Sequence, residues 1–230
     1  MIDLAVKCAP ESRLLKQADD AGLDAVELYL SASIMRGLRQ VIRTCKKFSF
    51  KYAVHAPNDE FNPSALKELV SEIGAKAVIF HNIYWEDEWE EIIDTLGDTV
   101  PKLCIENIFS LHEASKFIRR YGINRCLDLE HLQMECAGVY EEIFLSAMAQ
   151  ASHIHLTGYF FGSQLWHTHI HHSPEHNRHL LGLLRKSGYS GFVVSEAKSI
   201  FQTREEFRAL VKFFKNSAKK THNPFIFAAS

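Results

Sequence analysis

The sequence predicts an α/β fold, a single (β/α)8 TIM barrel, on three observations. Short β-branched runs alternate with longer amphipathic stretches along all 230 residues. Eight of each can be drawn, which suits the lower size range of a closed barrel better than an open doubly wound sheet of roughly five to seven strands. No Pro/Ser-rich linker or low-complexity tract interrupts the alternation, so residues 1–230 read as one domain, with 221–230 as a C-terminal tail.

The strand-like runs are Leu4–Cys8, Ala25–Leu30, Phe50–His55, Ala77–His81, Leu103–Glu106, Arg125–Leu129, His153–Leu156 and Phe192–Glu196. Between them apolar residues recur every three to four positions, the period of a helix with one buried face. Ser12–Ala21 places Leu14, Leu15 and Ala18 on one face, and Ile34–Phe48 does the same with Leu38, Val41, Ile42 and Cys45. Ser64–Ile73, Glu86–Leu96, Leu111–Tyr121, Tyr140–Ala149, Glu175–Ser187 and Thr203–Lys219 repeat the pattern. Pro10 and Pro63 stand before helices, Asn62 and Thr203 suit N-caps, and Thr203 with Glu206 predicts a capping box. Gly22, Gly74, Gly97, Gly122 and Gly188 each follow a helix, where a left-handed residue is favoured.

Composition bounds the class. Hydrophobic residues make up 47% and charged residues 23%, which is ordinary for a globular chain and excludes disorder or a fibre. A net charge of −2 argues against a partner bound by bulk electrostatics, whether nucleic acid or membrane. Residues 143–174 carry no Asp, Glu, Lys or Arg, yet they hold six histidines and two glycines, so they lack the ~20 mainly apolar residues of a membrane helix. Five cysteines without a CxxC pair predict reduced core thiols, and the N-terminus shows no signal peptide; both point to a cytoplasmic protein. Histidine stands out, with 13 residues.

Six successive strand-like runs end on a side chain able to bind a metal: His55, His81, Glu106, Asp128, His155 and Glu196. In a (β/α)8 barrel these ends meet at one mouth, where catalytic groups sit. Imidazoles and carboxylates crowded there would be poorly solvated and mutually repulsive, and a divalent cation is the natural neutralising partner. His131, His167 and His169 lie close enough in sequence to reach the same mouth. The mixed nitrogen and oxygen set suits Zn, Mn, Fe or Co. No nucleotide cofactor is expected.

The phrases Val-His55-Ala-Pro, Phe-His81-Asn, Ile-Glu106-Asn, Leu-Asp128-Leu-Glu-His131, Ile-His155-Leu-Thr-Gly and Val-Ser-Glu196 resemble the xylose isomerase-like TIM barrels, from about Leu23 to Glu196. That superfamily includes sugar isomerases and epimerases, and also the endonuclease IV-type apurinic-site nucleases. The resemblance implies that Glu106, Asp128, His155 and Glu196 hold a single metal, with Glu106 and Glu196 also moving the proton. It implies a substrate contact for His131; His55 and His169 are further candidates to contact substrate. In the nuclease branch it implies further metal ligation by His55, His81, His131, His167 and His169. Where that family often has Asp-x-His after the seventh strand, this chain has His167-Thr168-His169.

Two chemistries follow. One is a divalent-metal-dependent sugar or sugar-phosphate isomerase or epimerase, in which a metal-stabilised enediolate forms by proton transfer between Glu106 and Glu196. Lys198 is the lysine nearest in sequence for a hydride-shift variant. The other is an endonuclease IV-like phosphodiesterase with a multinuclear zinc site; the near-neutral charge and short βα connections weigh against it. Tyr84, Trp85, Phe160 and Phe161 are candidates to stack on a sugar ring, although such aromatics more often serve packing. The apolar residues 223–230 are expected to dock on the barrel or on a second subunit of a homo-oligomer.

Overall fold

Eight parallel strands pair in sequence order, and β8 closes on β1 to complete the barrel. The computed structural model describes residues 1–219. The chain runs β1 (Ile2–Cys8), α1 (Ser12–Asp20), β2 (Ala25–Tyr29), α2 (Ala32–Met35), α3 (Leu38–Cys45), β3 (Lys51–His55), α4 (Pro63–Ile73), β4 (Ala77–Phe80), α5 (Glu86–Leu96) and β5 (Leu103–Glu106). It continues through α6 (Leu111–Tyr121), β6 (Asn124–Asp128), α7 (Leu129–Cys136), α8 (Glu141–Ala149), β7 (His153–Leu156), α9 (Pro174–Lys186), β8 (Gly191–Ser195) and α10 (Arg204–Lys219). Single 3-10 turns, Ile170–His172 and Ser199–Phe201, follow β7 and β8. The tail for which docking was expected lies outside the described residues. No described helix is long and apolar enough to cross a membrane.

The strand period of two residues divides the core into two layers. Outward-facing Val6, Leu28, Val54, Val78, Ile105, Leu127, Ile154 and Val193 join the buried faces of the helices, among them Leu15, Leu69, Ile92, Phe144, Leu180 and Phe207. A fully buried side chain of this kind contributes about 1.5–3 kcal/mol relative to exposure. The second, smaller cluster fills the barrel: Ala5, Ala25, Ala53, Ala77, Ile79, Cys104, Cys126, Phe192 and Val194. Two positions further along each strand, toward the C-terminal end, the alternation aims a polar side chain inward from every strand.

The structure departs from the expected elements at four points. The predicted helix Ile34–Phe48 is two helices, because Gly37 leaves the helical conformation and starts α3 as its N-cap. Helix α7 was not expected; Asp128 caps it directly from β6, and it ends after two turns at Ala137, whose φ is 54°. Gly97 stays right-handed with φ −51°, whereas Gly74 and Gly122 adopt the left-handed C-cap expected of them. Thr203 does cap the Glu206 N–H at 3.3 Å, but the Glu206 carboxylate turns to His171 and His172, so the box is half formed.

Gly158, just past β7, marks a close approach that shapes the loop above it. Its N–H donates to the Thr168 carbonyl at 2.7 Å. A Cβ at this position would overlap Thr168 Oγ1 and lie 2.8 Å from the His169 carbonyl oxygen. Gly158→Ala is therefore expected to destabilise the protein by about 1–3 kcal/mol, read as a lower urea midpoint. An unchanged midpoint would mean that the loop yields freely.

Candidate active site

The barrel's alternation places Lys7, Glu27, His55, His81, Glu106, Asp128, His155 and Glu196 in one layer, each two residues past an inward-facing neighbour on its own strand. His81 and Glu196 lie one residue beyond the ends of β4 and β8. Lys7 and Glu27 were not singled out from the sequence. A charged residue inside an otherwise apolar run, Ala5-Val6-Lys7 and Ala25-Val26-Glu27, was the available signal.

Glu106 is the hub of the mouth. Its Oε2 lies 3.2 Å from His55 Nε2, 3.3 Å from His81 Nε2 and 3.3 Å from His155 Nδ1. Its Oε1 lies 3.7 Å from His131 Nδ1. Burial favours the neutral acid, yet the charge of His155 and hydrogen bonds from the imidazoles overcome it and hold Glu106 well below the usual carboxylate range. Glu196 Oε1 lies 3.1 Å from His155 Nδ1 and accepts from Lys7 Nζ at 2.5 Å. Burial again opposes ionisation, and His155 with Lys7 outweighs it, so Glu196 is also held ionised.

Beneath this level lies a buried carboxylate–histidine network. Glu27 Oε2 accepts from His153 Nε2 at 2.7 Å and from His155 Nε2 at 3.1 Å. Lys7 Nζ is 3.7 Å from Glu27 Oε1. Burial would raise the Glu27 pKa, but the charge of His155 and the two imidazole hydrogen bonds bring it well below the usual value. With Nε2–H committed to Glu27, the Nδ1 of His155 faces Glu106 and Glu196. A carboxylate that fixes a histidine tautomer from behind is a recurrent support for metal-binding imidazoles.

Asp128 is oriented by two further contacts. Its Oδ1 accepts from the His131 N–H at 2.9 Å, which is the cap of α7. Asn107 locks the adjacent backbone: its Oδ1 accepts from the Asp128 N–H at 2.7 Å and its Nδ2 donates to the Asp128 carbonyl at 3.1 Å. This second pair of bonds holds the Asp128 backbone to the residue that follows Glu106. Burial raises the Asp128 pKa to about 6, with His131 lowering it and the neighbouring carboxylates raising it.

The mouth has the character of a cation site. Asp128 Oδ2, His131 Nδ1 and Glu27 Oε1 are buried without a hydrogen-bond partner. Such atoms are costly to bury unless something pairs with them. Three trios bring ligand atoms within 4.8 Å of one another: Glu27, His155 and Glu196; Glu106, Asp128 and His131; His55, His81 and Glu106. The four residues expected to share one metal are thus divided between two trios with no common member, Glu106 and Asp128 in one and His155 and Glu196 in the other, which touch where His155 Nδ1 lies 3.3 Å from Glu106 Oε2. Nitrogen and carboxylate oxygen donors in this mixture suit Zn, Mn, Fe or Co.

Two expected site residues are placed elsewhere. His169 does not face the mouth. It is buried, its Nδ1 lies 2.9 Å from Ser195 Oγ, and its ring packs edge-on against Phe207 of α10 at 5.7 Å. Because Ser195 points away from the barrel interior while Glu196 points in, a partner of Ser195 belongs to the helix layer. His167 has φ 47° and lies on the cleft wall, 3.7 Å from Glu130 Oε1, apart from the three mouth trios. The expected lysine also changes. Lys198 lines the cleft, but Lys7 is the lysine in contact with Glu196.

A cleft of about 480 Å3 opens above this layer, and Lys7, His55, His81, His167 and Glu196 contribute to its floor and wall. Arg13, Asn58 and Lys198 add hydrogen-bond donors to it, Gln202 lines it with its amide N–H groups given to the Lys7 and Ala197 carbonyls, and Tyr29 is also among its lining residues. Tyr84, Trp85, Phe160 and Phe161 are not among its lining residues; Tyr84 packs against Phe61, Phe80 and Trp89. All five cysteines are free thiols.

No family model matches the sequence, and no curated protein matches it either. Solved structures do share the fold. The D-allulose 3-epimerase from Methylomonas sp. in complex with D-allulose superposes with a TM-score of 0.66 at 10% identity, covering 94% of this chain and 97% of that one. The phosphoribosyl anthranilate isomerase from Thermotoga maritima gives 0.58 at 13% identity, covering 94% and 100%. At these identities the likeness establishes the (β/α)8 barrel.

Proposed function

We propose that this chain is a divalent-metal-dependent isomerase or epimerase acting on a sugar or sugar phosphate. The observation that carries the reading is that Glu106 and Glu196 both approach His155 Nδ1, at 3.3 and 3.1 Å, beneath a cleft that Glu196 lines. The likeness in fold to a D-allulose 3-epimerase supports the same class. Glu106, Asp128, His155 and Glu196 are the residues assigned to the cation, with His131 beside them. When bound, a divalent cation supplies positive charge to substrate oxygens and makes the neighbouring C–H more acidic.

The chain's own groups do the rest. One of the two glutamates removes the proton from the carbon beside the carbonyl, and the C–H electron pair moves toward the carbonyl oxygen. The other glutamate, ionised in the free protein, must first take up a proton from solvent; it delivers that proton to the opposite face as the electron pair returns to carbon, so the centre inverts and the two glutamates exchange protonation states. Lys7 holds the Glu196 carboxylate in place and keeps it ionised. His155 is held by Glu27; His55, which lines the cleft, and His131, 3.7 Å from Glu106, are the residues assigned to contact substrate. Arg13 and Lys198 at the rim suit a hydroxyl-rich or phosphorylated ligand.

One observation favours a second reading. The trio of His55, His81 and Glu106 shares Glu106 with the trio of Glu106, Asp128 and His131, so the mouth has donors for more than one cation. That capacity suits a phosphodiesterase that clamps both oxygens of an in-line displacement. Elemental analysis of the wild type and of a Glu106→Ala variant, whose difference counts the metal held at the mouth, separates the two. About one transition metal per chain at the mouth, with activity on a panel of ketoses and ketose phosphates, is expected; two or three at the mouth with cleavage of an abasic-site duplex would replace the isomerase reading.

A further inference from the structure

Six histidines fall between residues 160 and 179, and the mouth accounts for none of the pair at 171 and 172. These two form the end of the 3-10 turn after β7, with ring centroids 4.5 Å apart. Both aim Nε2 at the same atom of the first turn of α10: His172 Nε2 is 2.8 Å and His171 Nε2 is 3.1 Å from Glu206 Oε2. We propose that His171, His172 and Glu206 form a second transition-metal site, separate from the barrel mouth, that takes zinc and clips the segment after β7 to α10.

The geometry supports ligation in several independent ways. One ligand atom from each of the three residues lies within 4.8 Å of the others. Two imidazole nitrogens and a carboxylate oxygen are a zinc donor set that leaves the fourth tetrahedral position to water. Side-chain exposures of 15%, 29% and 25% leave a path from solvent. Phe201, 5.1 Å from the His172 ring, makes a wall of low polarity on one side. Among the described residues Glu206 forms ion pairs with these two histidines and with no lysine or arginine, so no fixed cation competes. It also forgoes the bond to the Thr203 N–H that its position in the helix offers.

The clip would act through the loop rather than on substrate. His171 and His172 come two and three residues after His169, and His167 stands two residues before it on the cleft wall. Fixing the turn to α10 therefore fixes one side of the cleft. The inference is independent of the reaction assigned to the mouth.

The test uses the full chain, stripped with a chelator and titrated with Zn2+ against a chromophoric competitor. Glu206→Gln keeps an acceptor for both imidazoles, and His172→Gln keeps a donor for Glu206, so each removes a ligand while leaving a hydrogen bond available. Each variant is expected to bind one equivalent fewer than wild type, to retain the mouth's equivalents, and to keep the melting temperature of the stripped protein. The rise in melting temperature on adding Zn2+ should be smaller in both. Wild-type stoichiometry in either folded variant would overturn the proposal, and if His172→Gln does not fold, the Glu206→Gln titration decides alone.

Discussion

Glu196→Gln is expected to lower turnover by about a hundred- to ten-thousand-fold, the range typical of removing a positioned general acid or base. The substitution keeps the volume of the side chain and an oxygen that can still accept from Lys7, now 2.5 Å away. It removes the capacity to hold a proton. Solvent deuterium exchange into the substrate, measured with turnover, shows whether C–H cleavage itself has stopped. Metal content must be measured on the same preparation, because Glu196 is also assigned to the cation. A Glu196→Gln protein that retains metal and full exchange would remove Glu196 from the proton path and leave Glu106 to be tested alone.

Glu27→Ala is expected to have the largest effect on the fold and to weaken the metal as well. Glu27 and His153 are fully buried, and the carboxylate carries hydrogen bonds from two imidazoles and the charge of Lys7. Removing one member of a buried charged network typically costs about 3–5 kcal/mol, because the remaining groups stay buried without compensation. Freeing His155 Nε2 from its acceptor also loosens the ring whose Nδ1 faces the mouth, and such supports are worth about 10–100-fold in metal affinity. Urea unfolding with chelator present measures the first quantity, and metal titration measures the second. Glu27→Gln should recover part of both, since an amide oxygen can accept one of the two bonds. Wild-type stability and affinity in Glu27→Ala would show that His155 is oriented by packing alone.

Much of the architecture is legible from periodicity. Strand runs separated by amphipathic stretches specify eight βα units because alternate residues must face two different cores, and the observed clusters around Ala5 and around Val6 are those two cores. Helix α7 escapes this reading because its two turns run directly on from β6 and are held by the Asp128 cap as well as by packing. Gly37 splits a helix whose apolar spacing continues across the break.

The site was partly legible for the same reason. A polar residue closing an apolar run is conspicuous at His55, His81, Glu106, Asp128, His155 and Glu196. Lys7 and Glu27 follow the same period, but β1 and β2 continue past them with apolar residues, so they resemble incidental charges. His167 and His169 look equivalent in sequence, yet one borders the cleft and the other packs under α10.

What the chain determines on its own is the alternation of elements and the residue types delivered to the strand ends, since both follow from the local periods of strand and helix. Which groups pair is decided only by closure of the barrel. Lys7 meets Glu196 across 189 residues, and His155 meets Glu27 across 128. Coulomb and hydrogen-bond energies depend on separations of a few ångströms between such distant positions, and only packing of the whole barrel sets those separations.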